Sequence, residues 1–144
     1  MMERLVCVAI GYLFGLFQTA YIYGKLHGID IRNYGSGNAG TTNTLRVLGW
    51  KAGLITFLGD LFKAIFAVLL IRFIFIGKYP DAVKILELYA GFGAVLGHNF
   101  PFYLKFKGGK GIACTCGMIL AVCPLAAPIC LIPVSYTHLT LPTT

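Results

Sequence analysis

Charged residues are scarce in this chain. Only 12% of its 144 residues are charged, 58% are hydrophobic, and the mean hydropathy is +0.80. A soluble domain carries about a quarter charged residues, so the composition argues against an ordinary soluble domain and predicts one compact unit in a membrane. Acidic residues are the scarcest, five against twelve Lys and Arg, which gives a net charge of +7. The bases lie mostly in short segments between apolar runs, which favours anionic lipid or a phosphorylated substrate over nucleic acid as the partner.

The sequence also lacks cysteine pairs with the spacing of metal-binding or redox-active sites. The five cysteines all lie in apolar segments and none forms a C-x-x-C pair. Small apolar packing residues are therefore predicted, and a metal site or a disulfide is disfavoured. We expect neither a metal nor a cofactor.

The chain contains long apolar runs with little or no charge. Residues 5–24, 52–76, 85–104 and 112–134 each approach the length that spans a bilayer. They predict an all-α, polytopic transmembrane bundle of about four spans. A cleaved signal peptide is the alternative for the first run, but the run is too long and no A-x-A site follows it.

Ionisable residues inside the second run need partners. Asp60 and Lys63 are three residues apart, so they share a helix face and can pair. The pair can be structural, can touch substrate, or can let Asp60 orient a base in the preceding loop. Arg72, near the far end of the run, is expected to extend to water.

The first glycine-rich segment, residues 32–46, reads RNYGSGNAGTTNTLR. Its three glycines permit positive φ, its small polar side chains supply donors, and Thr41, Thr42 or Asn43 could cap a helix whose free amides attract an anion. Arg32 and Arg46 flank it with guanidinium groups that can bind phosphate. The segment predicts a phosphate site. It also matches G-x-G-x-x-G, but an apolar helix precedes it where a dinucleotide fold needs a strand.

The second glycine-rich segment, residues 105–111, alternates three lysines with three glycines and opens the fourth run. Lysines and bare amides at a helix N-terminus again suit a phosphate, and an ordinary basic membrane anchor is the equal alternative. It lacks the Walker A pattern. His98 precedes the segment and is either structural or a candidate base.

The basic residues predict sidedness. If the four spans are real, loops 25–51 and 105–111, which contain the two glycine-rich segments, lie on one side with seven bases, against Arg4, Lys78, Lys84 and the span-end Arg72 elsewhere. The positive-inside rule then places both loops in the cytoplasm and the N-terminus outside.

These two segments resemble a known family. GSGNAGTTNTLRVLG (35–49) is similar to the first motif of the bacterial acyl-phosphate:glycerol-3-phosphate acyltransferases, with Thr41 where alanine is commoner, and GHNFPFYLKFKGGKGIA (97–113) is similar to the second. The resemblance implies transfer of an acyl chain from acyl phosphate to the 1-hydroxyl of glycerol 3-phosphate at the bacterial plasma membrane. It implies acyl phosphate binding by Gly35, Ser36, Gly37, Asn38, Gly40, Thr42, Asn43 and Arg46, with Ser36 and Arg46 catalytic. It implies glycerol 3-phosphate binding by His98, Lys107, Gly108, Gly109, Lys110 and Gly111.

The same resemblance implies a longer enzyme with a third motif. Residues 1–134 would be the N-terminal part of the acyltransferase domain, and residues 135–144, which carry no charge and no helical pattern, are expected to be non-native. On this interpretation the chain alone is inactive. The alternatives are a non-catalytic membrane protein that binds anionic head groups and, because no repeat of the spans is seen, less favourably a transporter fragment. The oligomeric state is not predicted.

Overall fold

The computed structural model describes residues 1–126, 128–129 and 132, and it is helical. Over this part no residue lies in a strand, which confirms the all-α prediction. Short 3-10 turns cover Ile31–Asn33, Phe102–Leu104 and Pro124–Ala126. The predicted non-native segment 135–144 and the end of the fourth predicted span lie outside the described residues. The α-helices are α1 (Met2–Gly15), α2 (Thr19–Leu26), α3 (Thr41–Leu48), α4 (Trp50–Phe75), α5 (Val83–Asn99) and α6 (Ile112–Val122).

The first predicted span is broken into α1 and α2, where the sequence predicted one helix over 5–24. Gln18 has extended backbone angles, φ −100° and ψ 93°, and its buried amide Nε2 donates to the carbonyl oxygens of Gly97 (3.2 Å) and His98 (2.9 Å). Backbone carbonyls released by the break, those of Gly15 and Phe17, accept from Lys63 Nζ. Irregular backbone at this depth is stable because these side chains satisfy it.

Two segments, Met2–Leu26 and Trp50–Phe75, are each long and apolar enough to cross a membrane. The third predicted span is shorter than expected, and the fourth lies only partly within the described residues. The third ends at Asn99 and not at 104, because Pro101 cannot continue a helix and restricts the residue before it. In the fourth, α6 ends at Val122, just before Pro124.

Backbone contact between α1 and α5 holds the bundle together. Each helix carries glycines four residues apart, Gly11 and Gly15 on α1 and Gly93 and Gly97 on α5, and α1 packs more extensively on α5 than on any other helix of the described part. A Cβ added at any of the four would overlap a backbone oxygen of the facing helix. The glycines of α1 and α5 therefore allow the close approach of the two helices.

An ion pair joins α4, α5 and α6 at the end of α4 away from α3. Arg72 Nε and Nη2 donate to the two carboxylate oxygens of Glu87 at 2.7 and 3.1 Å, and Nη2 also donates to the carbonyl of Ala121 at 2.7 Å. Glu87 is fully buried. The expectation that Arg72 extends to water is therefore wrong, because a buried carboxylate fifteen residues along the chain takes its guanidinium.

Candidate active site

The first glycine-rich loop turns on two left-handed glycines. Gly35 has φ +57° and Gly37 has φ +77°, whereas Gly40 has φ −139° and needs no glycine for its backbone angles. Positive φ is thus confirmed at two of the three predicted positions. At Gly35 the absence of a side chain is also required by space, because a Cβ there would overlap Oδ1 of Asn43.

Asn43 lies inside this loop and holds it together. Its side-chain Nδ2 lies 3.2, 3.0 and 3.0 Å from the carbonyl oxygens of Ile31, Tyr34 and Asn38, and its Oδ1 accepts from the backbone N–H of Ser36 at 3.0 Å. The residue is 1% exposed. Both ends of the amide are therefore engaged by the loop's own backbone.

Helix α3 begins at Thr41 with unsatisfied amides. Gly40 is its N-cap residue and no side chain caps it, so the predicted capping by Thr41, Thr42 or Asn43 is wrong. The first helical bond is from Thr44 N–H to the Gly40 carbonyl, which leaves the preceding three amides without a helical acceptor. Thr41 Oγ1 is buried without a hydrogen-bond partner.

The second glycine-rich loop folds back on the end of α5. The backbone N–H groups of Gly108 and Gly109 donate to the carbonyls of Asn99 (3.0 Å) and His98 (3.1 Å). Lys105 and Phe106, at φ +56° and +61°, make the preceding turn in a conformation that is costly for residues with a side chain. The loop delivers the chain to Gly111, the N-cap residue of α6.

The glycines of this loop are required by packing within the protein. A Cβ at Gly108 would overlap the His98 carbonyl, one at Gly109 would overlap His98 Nε2 and lie 2.8 Å from the Ala39 carbonyl, and one at Gly111 would lie 2.6 Å from Asn99 Oδ1. The Ala39 contact shows that the two glycine-rich loops touch.

A cleft lies where the two loops meet. The uncapped first turns of α3 and α6 both open onto it, so partial positive charge from two helix N-termini converges there, and Lys110 lines the same cleft. Its base is formed by Asp60 and His98. The lining residues are Asn38, Gly40, Thr41 and Thr42 from the first loop and α3, Lys110, Gly111, Ile112 and Ala113 from the second loop and α6, with Asp60 and His98.

Beneath the cleft is a buried ionic cluster. Asp60 Oδ1 lies 3.1 Å from Lys63 Nζ, which confirms the predicted pair, and Lys63 Nζ lies 2.9 Å from His98 Nδ1. Asp60, Lys63 and His98 are 1%, 5% and 3% exposed. Sequence reasoning missed the Lys63–His98 contact, and no local pattern could have revealed it because the two residues are 35 positions apart.

A second cavity lies beside the cleft and holds part of the predicted site. Gly37, Arg32 and Lys107 line it, together with Tyr21, Asn33, Tyr103, Leu104 and Lys105. The sequence predicted that the Arg32 guanidinium is free to bind a phosphate. In the structure Asp30 accepts hydrogen bonds from its Nε (3.0 Å) and Nη2 (2.8 Å), so it is not free. The hydrogen bonds that Arg32 donates to Asp30 lower the pKa of Asp30 below its ordinary value and raise the pKa of Arg32 above its own.

The structure brings together only some of the predicted site residues. Asn38, Gly40, Thr42, His98, Lys110 and Gly111 share the cleft, while Gly37 and Lys107 line the second cavity. Ser36 and Arg46 are exposed and are among the lining residues of neither. The Ser36 hydroxyl accepts a long hydrogen bond, 3.4 Å, from the Asn38 N–H.

These features define the class: a helical membrane protein in which two glycine-rich loops form one cationic cleft. The family model described as glycerol-3-phosphate acyltransferase matches residues 5–141, and the chain belongs to this family. It is an integral membrane protein.

Named relatives agree with this placement. The chain is 44% identical over 132 residues to glycerol-3-phosphate acyltransferase of Pelodictyon phaeoclathratiforme, covering 88% of this chain and 56% of the relative. It is 47% identical over 131 residues to that of a Thermoanaerobacter species, covering 90% and 63%. A crystal structure of PlsY (YgiH), an integral membrane glycerol 3-phosphate acyltransferase, in its glycerol 3-phosphate form superposes with TM-score 0.77 at 36% identity, covering 90% of this chain and 62% of that one. The chain thus spans somewhat more than half the length of its relatives.

Proposed function

We propose that this chain carries the substrate-binding part of an enzyme that transfers an acyl group from acyl phosphate to the 1-hydroxyl of glycerol 3-phosphate. The products are lysophosphatidate and inorganic phosphate. One observation carries the proposal: two uncapped helix N-termini and Lys110 converge on a single cleft at the meeting of two glycine-rich loops.

The chemistry requires positioning more than covalent help. Acyl phosphate is a mixed anhydride with a good leaving group. The glycerol oxygen bonds to the acyl carbon, the bond from that carbon to the phosphate oxygen breaks, and the departing phosphate takes the hydroxyl proton. The two substrates repel each other through their phosphates, so fixed amide dipoles and cations are the groups that lower the barrier.

The first loop is assigned to acyl phosphate and the second to glycerol 3-phosphate. Asn38, Gly40 and Thr42 meet the phosphate in the cleft, while Asn43 and Gly35 hold the shape of the loop that presents it. Ser36 and Arg46 act from the exposed side of the same loop on phosphate that faces water.

The second loop contributes charge and shape. Lys110 lies in the cleft and Lys107 in the adjoining cavity, so the two ammonium groups reach the substrate from neighbouring sides. Gly108, Gly109 and Gly111 act by seating the loop on His98 and Asn99, as their contacts require.

Ser36 is a hydrogen-bonding residue in this scheme and not an acylated nucleophile. Its hydroxyl accepts from the Asn38 N–H and its amide donates to Asn43, and neither of these residues can remove its proton.

The proposed orientation places both loops in the cytoplasm and the N-terminus outside the bacterial plasma membrane. The basic residues of the loops support it. Ser36→Cys and Lys107→Cys, each made after the native cysteines are replaced by serine, should resist an impermeant thiol reagent applied to intact cells and react after the cells are opened. Ready labelling of intact cells would refute the orientation.

Acyl transfer is tested in a chimera in which residues 1–122 replace the aligned part of the Thermoanaerobacter relative. Membranes containing it receive acyl phosphate and radiolabelled glycerol 3-phosphate, and lipid-soluble label is measured. We expect labelled lysophosphatidate, and a loss of at least ten-fold in Lys110→Met, because a charge-assisted phosphate contact contributes about 1.5–3 kcal/mol.

Lys78→Met is the matched control, since Lys78 is exposed between α4 and α5, away from the cleft. A chimera that is inserted and stable but makes no labelled product would contradict the proposed activity. Equal turnover in the Lys110 and Lys78 variants would remove the cleft from it.

A further inference from the structure

Lys63 is the one cation of the described part that is buried against a histidine, and the cleft does not use it directly. We propose that Lys63 is a positioning residue that holds His98 as the neutral tautomer with its proton on Nε2. His98 then gives the bound phosphate a hydrogen-bond donor and does not act as a base. The part that concerns phosphate rests on the proposed function; the tautomer does not.

The surroundings of Lys63 Nζ set the direction of the hydrogen bond. Three groups lie in hydrogen-bond geometry around it: the carbonyl oxygens of Phe17 (2.6 Å) and Gly15 (3.2 Å) and His98 Nδ1 (2.9 Å). Asp60 Oδ1, at 3.1 Å, forms an ion pair with the ammonium without a hydrogen bond. An ammonium group has three donors and no acceptor. His98 Nδ1 must therefore offer its lone pair, and the ring proton is on Nε2.

A protonated imidazole does not fit this site. It would turn an Nδ1–H toward the Lys63 ammonium at 2.9 Å, with both groups carrying positive charge. Asp60 Oδ1, at 3.7 Å, is too far from His98 Nδ1 to take that proton in a hydrogen bond. Asp60 lies within ion-pair distance of both groups, and its carboxylate balances the charge of Lys63 inside the bundle.

The other ring nitrogen faces the meeting point of the loops. A Cβ on Gly109 would contact both His98 Nε2 and the Ala39 carbonyl, so Nε2 lies beside the seam between the two loops. His98 also lines the cleft together with Lys110 and the first turn of α3. An Nε2–H in this place adds a neutral donor to the amides of the two helix N-termini.

The consequence concerns the proton of the substrate hydroxyl. With Nε2 already protonated and Nδ1 occupied by Lys63, His98 has no free lone pair to accept that proton. The interpretation of His98 as the missing base is therefore replaced by a role in holding phosphate, and the departing phosphate is the acceptor.

Nitrogen-15 NMR of the full chain in lipid nanodiscs tests the tautomer without substrate. His27→Gln with His138→Gln leaves His98 as the single histidine. We expect an unprotonated Nδ1 and a protonated Nε2, and a shift of the Nε2 signal when inorganic phosphate is added. A proton on Nδ1, or a charged ring, in the phosphate-free spectrum would overturn the inference.

Variants of Lys63 test the positioning role. Lys63→Met should give a mixture of tautomers and about ten-fold weaker phosphate binding, whereas Lys63→Arg, which keeps a donor, should restore the Nε2 proton. Lys51→Met removes the same charge from an exposed position on α4 and should change neither. The wild-type spectrum alone still decides the tautomer if Lys63→Met does not fold.

The two proposals fail separately. A Lys63→Met chain that keeps the wild-type tautomer and phosphate affinity would overturn the positioning role whatever the chimera does. A chain with the Nε2 proton and the phosphate response, in a chimera that makes no lysophosphatidate, would support the positioning role and contradict acyl transfer.

Discussion

Replacing Asn43 by alanine removes the side chain that holds the first glycine-rich loop. The carbonyl of Ile31 is in the buried part of this network and would lose its donor, at a cost of about 1–3 kcal/mol. The bonds to Tyr34, Asn38 and Ser36 are only partly buried, so water can replace them in part. Nδ2 has two hydrogens for three carbonyls, so its contribution is counted as two bonds and not three.

The sum is a loss of about 2–6 kcal/mol, because each of the two partly buried bonds that are counted contributes about 0.5–1.5 kcal/mol, and replacement by water favours the lower half of this range. Alanine gains about 0.5 kcal/mol in helix propensity at this position in α3, which is too little to reverse the sign. For a chain of this size the melting temperature should fall by roughly 10 °C. Phosphate binding should weaken as well, because the loop leads directly into the N-terminus of α3.

Buried cysteines provide the assay. Cys7, Cys114 and Cys116 are buried whereas Cys123 is exposed, so a thiol-reactive dye reports unfolding as temperature rises once Cys123 and Cys130 are replaced by serine. Asn43→Asp should be at least as damaging, because it keeps the acceptor for Ser36 but points an oxygen at three carbonyls. Asn33→Ala, at an exposed amide of the same segment, is the control. A wild-type melting temperature for Asn43→Ala would refute this reasoning.

Three further substitutions probe the bundle and the loops. Gly97→Ala adds a Cβ that overlaps the backbone of α1, so the free energy of unfolding in the thiol-dye assay should fall by about 1–3 kcal/mol or more, the cost of overpacking. Gly77→Ala, with nothing within 4 Å of its Cβ, should have the wild-type melting temperature. Glu87→Gln should lower the free energy of unfolding by about 3 kcal/mol, the low end for losing one partner of a buried ion pair, because Arg72 is 33% exposed. Combining it with Arg72→Met should cost less than the sum of the two single losses. Strict additivity would argue against the pair. Gly109→Ala should displace the His98 ring and move its nitrogen-15 signals, and unchanged signals would mean that the contact is absent.

Features set by neighbouring residues could be predicted from the sequence. The apolar runs place the helices, because their length and lack of charge depend only on consecutive residues. The pairing of Asp60 with Lys63 follows from three-residue spacing on one helix. The start of α6 after the second glycine-rich segment follows in the same way from composition.

Tertiary structure alone decided the features that join distant segments. The break after α1 depends on Gln18 finding carbonyls at the end of α5, some eighty positions away. Arg72 turns inward because Glu87 comes from another helix. The sequence predicted that Asn43 binds phosphate. In the structure its side chain lies inside the loop and donates to the loop's own carbonyls, because the loop closes over it.

Some features of the cleft likewise follow from local sequence, and others depend on tertiary structure. The glycines, the lysines and the helix starts that follow them are set by the local sequence of residues 32–46 and 105–111, whereas the absence of a side-chain cap on α3 was not predicted. Their meeting at one cleft, with the Lys63–His98 contact beneath it, depends on the packing of α4 and α5. A hydrogen bond between residues 35 positions apart leaves no periodic trace in the chain, because its geometry exists only after the helices have packed.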